Sequence, residues 1–200
     1  MTSDLERALF SRSGADAVVT RGHFRYESGH HGDLWLDLDA LLVDAQAVQS
    51  WAASLAQQAV SCRPEVVCGP LNGGAFVAQA LAAAMAAGFV YAERVLVDRQ
   101  VGYRIPDGLR GHLAGRRVLL TDDAVNAGSA LLATLEDARR CGAELAGFAS
   151  LITLGDAGSE IAAQHRVPFV QLVALERSMW LAQDCPLCAA GVARADRSAP

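Results

Sequence analysis

"VLLTDDAVNAGSA", residues 118–130, joins two features with opposite electrostatic preferences. The apolar run Val118-Leu119-Leu120 leads to adjacent carboxylates, Asp122 and Asp123, and these precede a loop of small residues, Asn126-Ala127-Gly128-Ser129-Ala130. From Ser129 to Cys141 the apolar positions Leu131, Leu132, Leu135 and Ala138 recur at helical spacing, and Gly142 ends the pattern. The segment therefore reads as strand, loop, helix. A helix that opens through small residues presents backbone N–H groups to an anion. A carboxylate pair repels an anion but accepts hydrogen bonds from hydroxyls. A phosphorylated ribose satisfies both halves, with its diol on Asp122 and Asp123 and its 5′-phosphate on the amides from Asn126 to Ala130.

The same alternation extends to either side. "EVVCG" (65–69), "FVYAERV" (89–95), "RRVLLT" (116–121), "ELAGFASLITL" (144–154) and "PFVQLVAL" (168–175) read as strands, with helices over 75–87, 129–141 and 159–165. Strands alternating with helices predict an α/β fold with a doubly wound, mainly parallel sheet flanked by helices. Ligands of such sheets sit at the carboxyl ends of the strands. A second glycine loop, Gly69-Pro70-Leu71-Asn72-Gly73-Gly74, falls at one of those ends and can turn its backbone toward an anion. Residues 97–116 read as a long loop with room for a short ribbon. Upstream, Ser3 and Glu6 form a capping box for a short helix that Gly14 ends. Leu34, Leu36 and Leu38 alternate with Trp35, Asp37 and Asp39 in a hairpin. Asp44 caps a helix whose Val48, Trp51, Ala52, Leu55 and Ala59 share a face.

Composition removes several function classes. No run approaches the roughly 18 apolar residues of a membrane span. The N-terminus has no basic segment followed by an apolar one, so no membrane role is expected and the location reads as cytoplasmic. Net charge is −5 with no basic block, which gives no footing for nucleic acid. All basic residues are arginines, so chemistry that needs a lysine ammonium is absent. The odd count of five cysteines is not a secreted disulfide framework. Cys185 and Cys188 form a C-x-x-C that could supply two of the four ligands of a structural zinc site. Cys62, Cys68, Cys141 or a symmetry-related pair could complete it; a packed or surface tail is the alternative. His23, His112 and His165 read as surface or loop residues.

These motifs resemble those of type I phosphoribosyltransferases, and of the orotate enzymes among them. "VLLTDDAVNAGSA" is similar to their ribose-5-phosphate signature. "GHFRYESGHHGDLWLD" (22–37) is similar to the N-terminal segment, and "VVCGPLNGGAFVAQALA" (66–82) to the pyrophosphate loop with its following helix. The resemblance implies transfer of ribose 5-phosphate from phosphoribosyl pyrophosphate, carried with Mg2+, to a nucleobase. That base is orotate by family default, in pyrimidine nucleotide biosynthesis, and the enzyme is a homodimer. Asp122 and Asp123 would hold the ribose hydroxyls, Asn126 to Ala130 the 5′-phosphate, and Leu71, Asn72, Gly73 and Gly74 the pyrophosphate, aided by Arg94, Arg99 and Arg104. Residues 1–43 would form a helix and a base-covering hood, with Glu27, His30 and Trp35 on the base side and His31 in the same segment. Residues 44–178 would form the core, and 179–200 a tail.

The departures fall on charge. The family's threonine-rich phosphate loop is Asn126-Ala127-Gly128-Ser129-Ala130 here, and the expected arginine of the second strand is Glu93. The lysine before Ser-Gly is Glu27, and the arginine after the fourth strand aligns near Gly155. Glu27 favours a base with N–H donors, so a phosphoribosyltransferase for another base, and a non-catalytic ribose-phosphate-binding regulator, both stand beside the orotate enzyme.

Overall fold

The computed structural model describes residues 4–11, 18–26, 29–97 and 100–195. Ser3, Gly14, Glu27 and Arg99 lie outside the described residues. The chain divides into two compact units, Leu42–Leu175 and Met1–Leu41 with Glu176–Pro200.

The larger unit is built on a six-stranded sheet. Its strands are β3 (Val66–Pro70), β4 (Gly88–Val97), β5 (Gln100–Arg104), β6 (Arg117–Val125), β7 (Glu144–Leu154) and β8 (Phe169–Leu175), in the order β5-β4-β3-β6-β7-β8. All neighbours pair parallel except β4 and β5. From β3 the chain moves outward to β4 and β5, then returns across β3 to start β6. The direction of winding therefore reverses between β3 and β6. The carboxyl ends of these two strands flank the crevice where doubly wound sheets take ligands.

Helices α3 (Ala45–Gln58), α4 (Gly73–Met85), α6 (Ser129–Arg140) and α7 (Ala157–His165) connect the strands. Asp44 caps α3 as expected, accepting from the N–H groups of Gln46 and Ala47 at 3.1 and 3.0 Å. The predicted inward face is the buried one: Val48, Trp51, Ala52 and Leu55. Central β6 is buried on both faces over Val118–Asp122, as a parallel strand covered by helices must be. Val66, Cys68, Val118, Leu120, Leu131, Leu135 and Phe148 share one core cluster.

Three expectations need adjustment. Residues 97–116 hold the short ribbon for which the sequence had room, β5 pairing antiparallel with β4, but a short helix, α5 (Asp107–Arg110), follows where loop was expected. α4 stops at Met85, before Gly88, because Ala86 itself takes the left-handed conformation at φ 51°. Its N–H still finds Ala82 and Ala83 carbonyls, which offsets the cost of a positive φ. The C-terminal segment is not simply loop, since it contributes a strand and a short helix.

The smaller unit holds α1 (Asp4–Ser11) and a three-stranded antiparallel sheet, ordered β1 (Val19–Arg25), β2 (His31–Leu36), β9 (Met179–Trp180). Helix α2 (Leu38–Leu42) leads out of β2, and a 3₁₀ turn (Ala182–Asp184) and α8 (Pro186–Ala189) follow β9. The β1–β2 register slips by one between Arg21 and Phe24, so Gly22 and His23 oppose Asp33 in a bulge. No helix among the described residues is long and apolar enough to cross a membrane.

Candidate active site

The glycine loop picked out in the sequence meets the acidic pair at the switch point. A methyl group on Gly73 would collide with the carboxylate of Asp123. On Gly74 it would lie 2.5 Å from Asp122 Oδ1 and 2.8 Å from Pro70 Cδ. Only glycine lets the start of α4 come this near the acidic pair. Gly69 is equally confined, since a methyl there would strike the Gly74 carbonyl and sit 2.9 Å from the Thr121 carbonyl oxygen. Leu71 N–H donates to the Ala92 carbonyl at 2.8 Å, tying the loop to β4. The Leu71–Asn72 peptide is cis.

β6 delivers the carboxylates. It continues to Val125, so Asp122 and Asp123 stand on the last turns of a strand rather than on a loop. Asp122 is buried, and burial foremost, then the charge of Asp123, holds its carboxyl well above the ordinary 3.8. The N–H of Asp123 bonds to Asp122 Oδ1 at 3.0 Å and opposes that shift. Asp123 Oδ1 accepts from the Ala124 N–H at 2.8 Å.

Three residues downstream the chain turns into α6. Gly128 takes φ 74°, and a methyl there would strike Ile161 Cδ1, so both conformation and space require glycine. The N-cap residues Asn72 of α4 and Gly128 of α6 place no side-chain cap on their helices. Helix N-termini of this kind are where backbone N–H groups receive anions. Asn126, Ala127 and Ser129 are exposed beside them.

The β4–β5 ribbon adds a residue that sequence reasoning missed. The Tyr103 phenol is pushed up by burial and by the charges of Asp122 and Asp123, and drawn down by Arg94. Tyr103 and Arg94 are direct cross-strand partners, so both share the ribbon face directed at the acidic pair. The signal was the alternation of Val101 and Tyr103, legible only with β5 recognised as a strand. Arg104 pairs with Glu93 one position along, on the other face, and bonds Asp107 at 2.8 Å. Arg104, expected to aid the pyrophosphate, thus lies on the ribbon face opposite Arg94. Arg110 is committed elsewhere, to buried Asp137 at 2.8 Å.

The expected base-side residues lie in the smaller unit. Trp35 packs on Phe24 with ring centroids 5.9 Å apart. The His30 carbonyl accepts from Tyr26 N–H at 2.9 Å in the hairpin turn.

A second cluster stands in that unit. His23, His31, Cys185 and Cys188 place one ligand atom each within 4.8 Å of all the others. His23, expected at the surface, is 2% exposed, and His31 is 4% exposed. The partners foreseen for the C-x-x-C were Cys62, Cys68 or Cys141. Cys68 is instead sealed in the sheet core, its thiol pushed up to about 12 by burial. Histidine partners were missed because they are separated from the cysteines by most of the chain, and the bulge that sets His23 among them leaves no sequence mark.

The chain is similar to known proteins in sequence and in fold. An orotate phosphoribosyltransferase from Caldanaerobacter subterraneus subsp. tengcongensis is 27% identical over 177 residues, covering 88% of this chain and 87% of its own. One from Thermus thermophilus is 29% identical over 184 residues, covering 92% and 94%. The crystal structure of orotate phosphoribosyltransferase from Aeropyrum pernix superposes with a TM-score of 0.63 at 24% identity, over 79% of this chain and 88% of that one. Residues 37–172 match the phosphoribosyl transferase domain, so more than half of the chain, including the whole switch point, carries the family's pattern, and the chain belongs to that family.

Proposed function

We propose that the protein transfers ribose 5-phosphate from phosphoribosyl pyrophosphate to orotate, forming a pyrimidine nucleotide, in the cytoplasm and as a homodimer. The observation that carries the reading is the contact of Asp122 and Asp123 with Gly74 and Gly73 at the switch point. It brings acceptors for a sugar diol and a glycine-lined anion loop within one substrate's length of each other.

Each part then has a task. The Asp122 and Asp123 carboxyls accept the two ribose hydroxyls, and the negative charge that the pair carries lies beside the sugar as its anomeric carbon becomes positive. The amides at the start of α6, from Asn126 to Ala130, take the 5′-phosphate. Leu71 to Gly74 receive the pyrophosphate, and Arg94 neutralises part of its charge as it leaves. Tyr103, between Arg94 and the acids, donates its hydroxyl toward the reacting sugar or the leaving group. The oxygen donors here suit Mg2+, which keeps its waters and takes one or two carboxylates with substrate phosphates. Bound with pyrophosphate, the ion supplies charge neutralisation.

A second reading, transfer to another base, is favoured by Glu27 and by Gly155 at the end of β7, where cations for an acidic base are expected. Pyrophosphate release from phosphoribosyl pyrophosphate, measured with orotate, uracil, cytosine, adenine and guanine, separates the readings. Turnover with orotate alone supports the first, and turnover with an amino-bearing base only supports the second. Binding of phosphoribosyl pyrophosphate with no release for any base would overturn both and leave a ribose-phosphate-binding regulator.

A further inference from the structure

The His23, His31, Cys185, Cys188 cluster lies outside everything the transfer chemistry uses. We propose that it is a structural zinc site that staples the C-terminal segment to the N-terminal hairpin.

Four of the distances among the donor atoms have the lengths of edges of a zinc tetrahedron. Zinc binds thiolate at about 2.3 Å and imidazole at about 2.0–2.1 Å, which sets ligand-to-ligand edges of about 3.3–3.8 Å. Here His23 Nε2 lies 3.1 Å from His31 Nδ1, 3.5 Å from Cys185 Sγ and 3.7 Å from Cys188 Sγ. Cys188 Sγ lies 3.2 Å from His31 Nδ1. Each of these four distances falls within a few tenths of an ångström of the expected range.

The chemistry of the donors agrees. His23 Nδ1 stands 2.9 Å from the Val192 carbonyl oxygen, which can only accept. The proton must therefore sit on Nδ1, leaving the Nε2 lone pair directed at the cluster. That is the outer hydrogen bond by which metal-binding histidines are fixed in one tautomer. Two thiolates and two imidazoles form a tetrahedral set that selects zinc over hard cations such as Mg2+. On binding, the Cys185 and Cys188 thiols release their two protons to solvent, and two thiolates balance the dication. Four protein ligands leave no open position, which marks the site as structural rather than catalytic.

The surroundings show what such a site would hold. After the C-P-L-C turn the chain runs without helix or strand through 192–195, and the Ala195 N–H donates to the His23 carbonyl at 2.9 Å. β9, the link from the tail to the hairpin sheet, is two residues long. Units below roughly 70–80 residues rely on staples such as metals, and this unit is of that size.

The test is metal analysis of the full-length, untagged protein, equilibrated with Zn2+ and then freed of unbound ion by gel filtration. One zinc per chain is expected, with near-complete loss in Cys188→Ser and His31→Ala and full retention in Cys141→Ser. No retained zinc in the wild type, or undiminished zinc in both ligand variants, would overturn the assignment. Should the ligand variants not fold, the wild type loaded with Co2+ decides the matter. A thiolate-to-cobalt charge-transfer band with intense tetrahedral ligand-field bands supports the site, and the weak spectrum of a six-coordinate ion overturns it. A Cys185–Cys188 disulfide in freshly prepared protein, detected by mass spectrometry, would also overturn it.

Discussion

Asp122 is a carboxyl kept from ionising easily by its own fold. Its folded-state value is raised, by burial first and by Asp123 second, above the ordinary 3.8. In the pH range between those two values the native state binds the extra proton, so stability must fall as pH rises. The contribution is complete below about 3.8 and is lost as pH climbs through the raised value. Asp122→Asn removes this penalty. The ligand-free variant should melt above the wild type at pH 7, with the gap closing toward pH 4, while pyrophosphate release collapses. Melting curves of both proteins across that range check the sign, and a wild type that gains stability with rising pH relative to the variant would refute it. Gly73→Ala tests the same contact from the other side. The methyl displaces the Asp123 carboxylate, and a shift on the order of 1 Å at a reacting site costs roughly 10²-fold in rate. Steady-state kinetics should show that loss with the melting temperature little changed.

At the scale of elements, the β4–β5 ribbon decides which cations can serve the site. Arg94 and Tyr103 share the face toward the acids, and Arg104 does not. Tyr103→Phe should lower kcat with modest effect on folding, because the half-exposed phenol is not needed for the ribbon's pairing. Arg104→Ala should leave kcat near that of the wild type, and equal damage from both variants would contradict the facing argument. The ribbon's far end is fixed by Asp137 on α6, which accepts the Ile105 N–H at 2.8 Å. Asp137→Ala strands that buried donor, at a cost of about 1–3 kcal/mol in unfolding free energy, measurable by urea titration.

The ribbon also shows where sequence reading ran out. β7 was legible to the residue, Glu144–Leu154, because a parallel strand buried on both faces is a continuous apolar run. The cap of α3 was legible because one side chain makes it. β5 was legible only as room for a ribbon within 97–116, without bounds, since Gln100-Val101-Gly102-Tyr103-Arg104 is polar with a glycine at its centre and owes its strand to pairing with β4. Asp122, Asp123, Gly73 and Gly74 announced themselves through local chemistry, whereas Tyr103, His23 and His31 acquire their surroundings only from contacts made across the fold.

For the whole molecule, the residues assigned to ribose, 5′-phosphate and pyrophosphate all belong to the unit Leu42–Leu175, while the His/Cys cluster belongs to the other. A ligand that binds only the folded state stabilises it by RT ln(1 + [L]/Kd), about 2.7 kcal/mol at a hundred times Kd. Phosphoribosyl pyrophosphate with Mg2+ should therefore raise unfolding free energy by that amount. Hydrogen exchange should slow at the β3–α4 turn and from Asn126 through the first turn of α6, the segments assigned to the pyrophosphate and the 5′-phosphate. Asp123→Asn should abolish both effects without altering exchange in the β1–β2 hairpin, since no residue of that hairpin is asked to hold the sugar or its phosphates. Protection that appears in the hairpin but not at α6 would place the phosphate elsewhere and detach the acidic pair from the ribose.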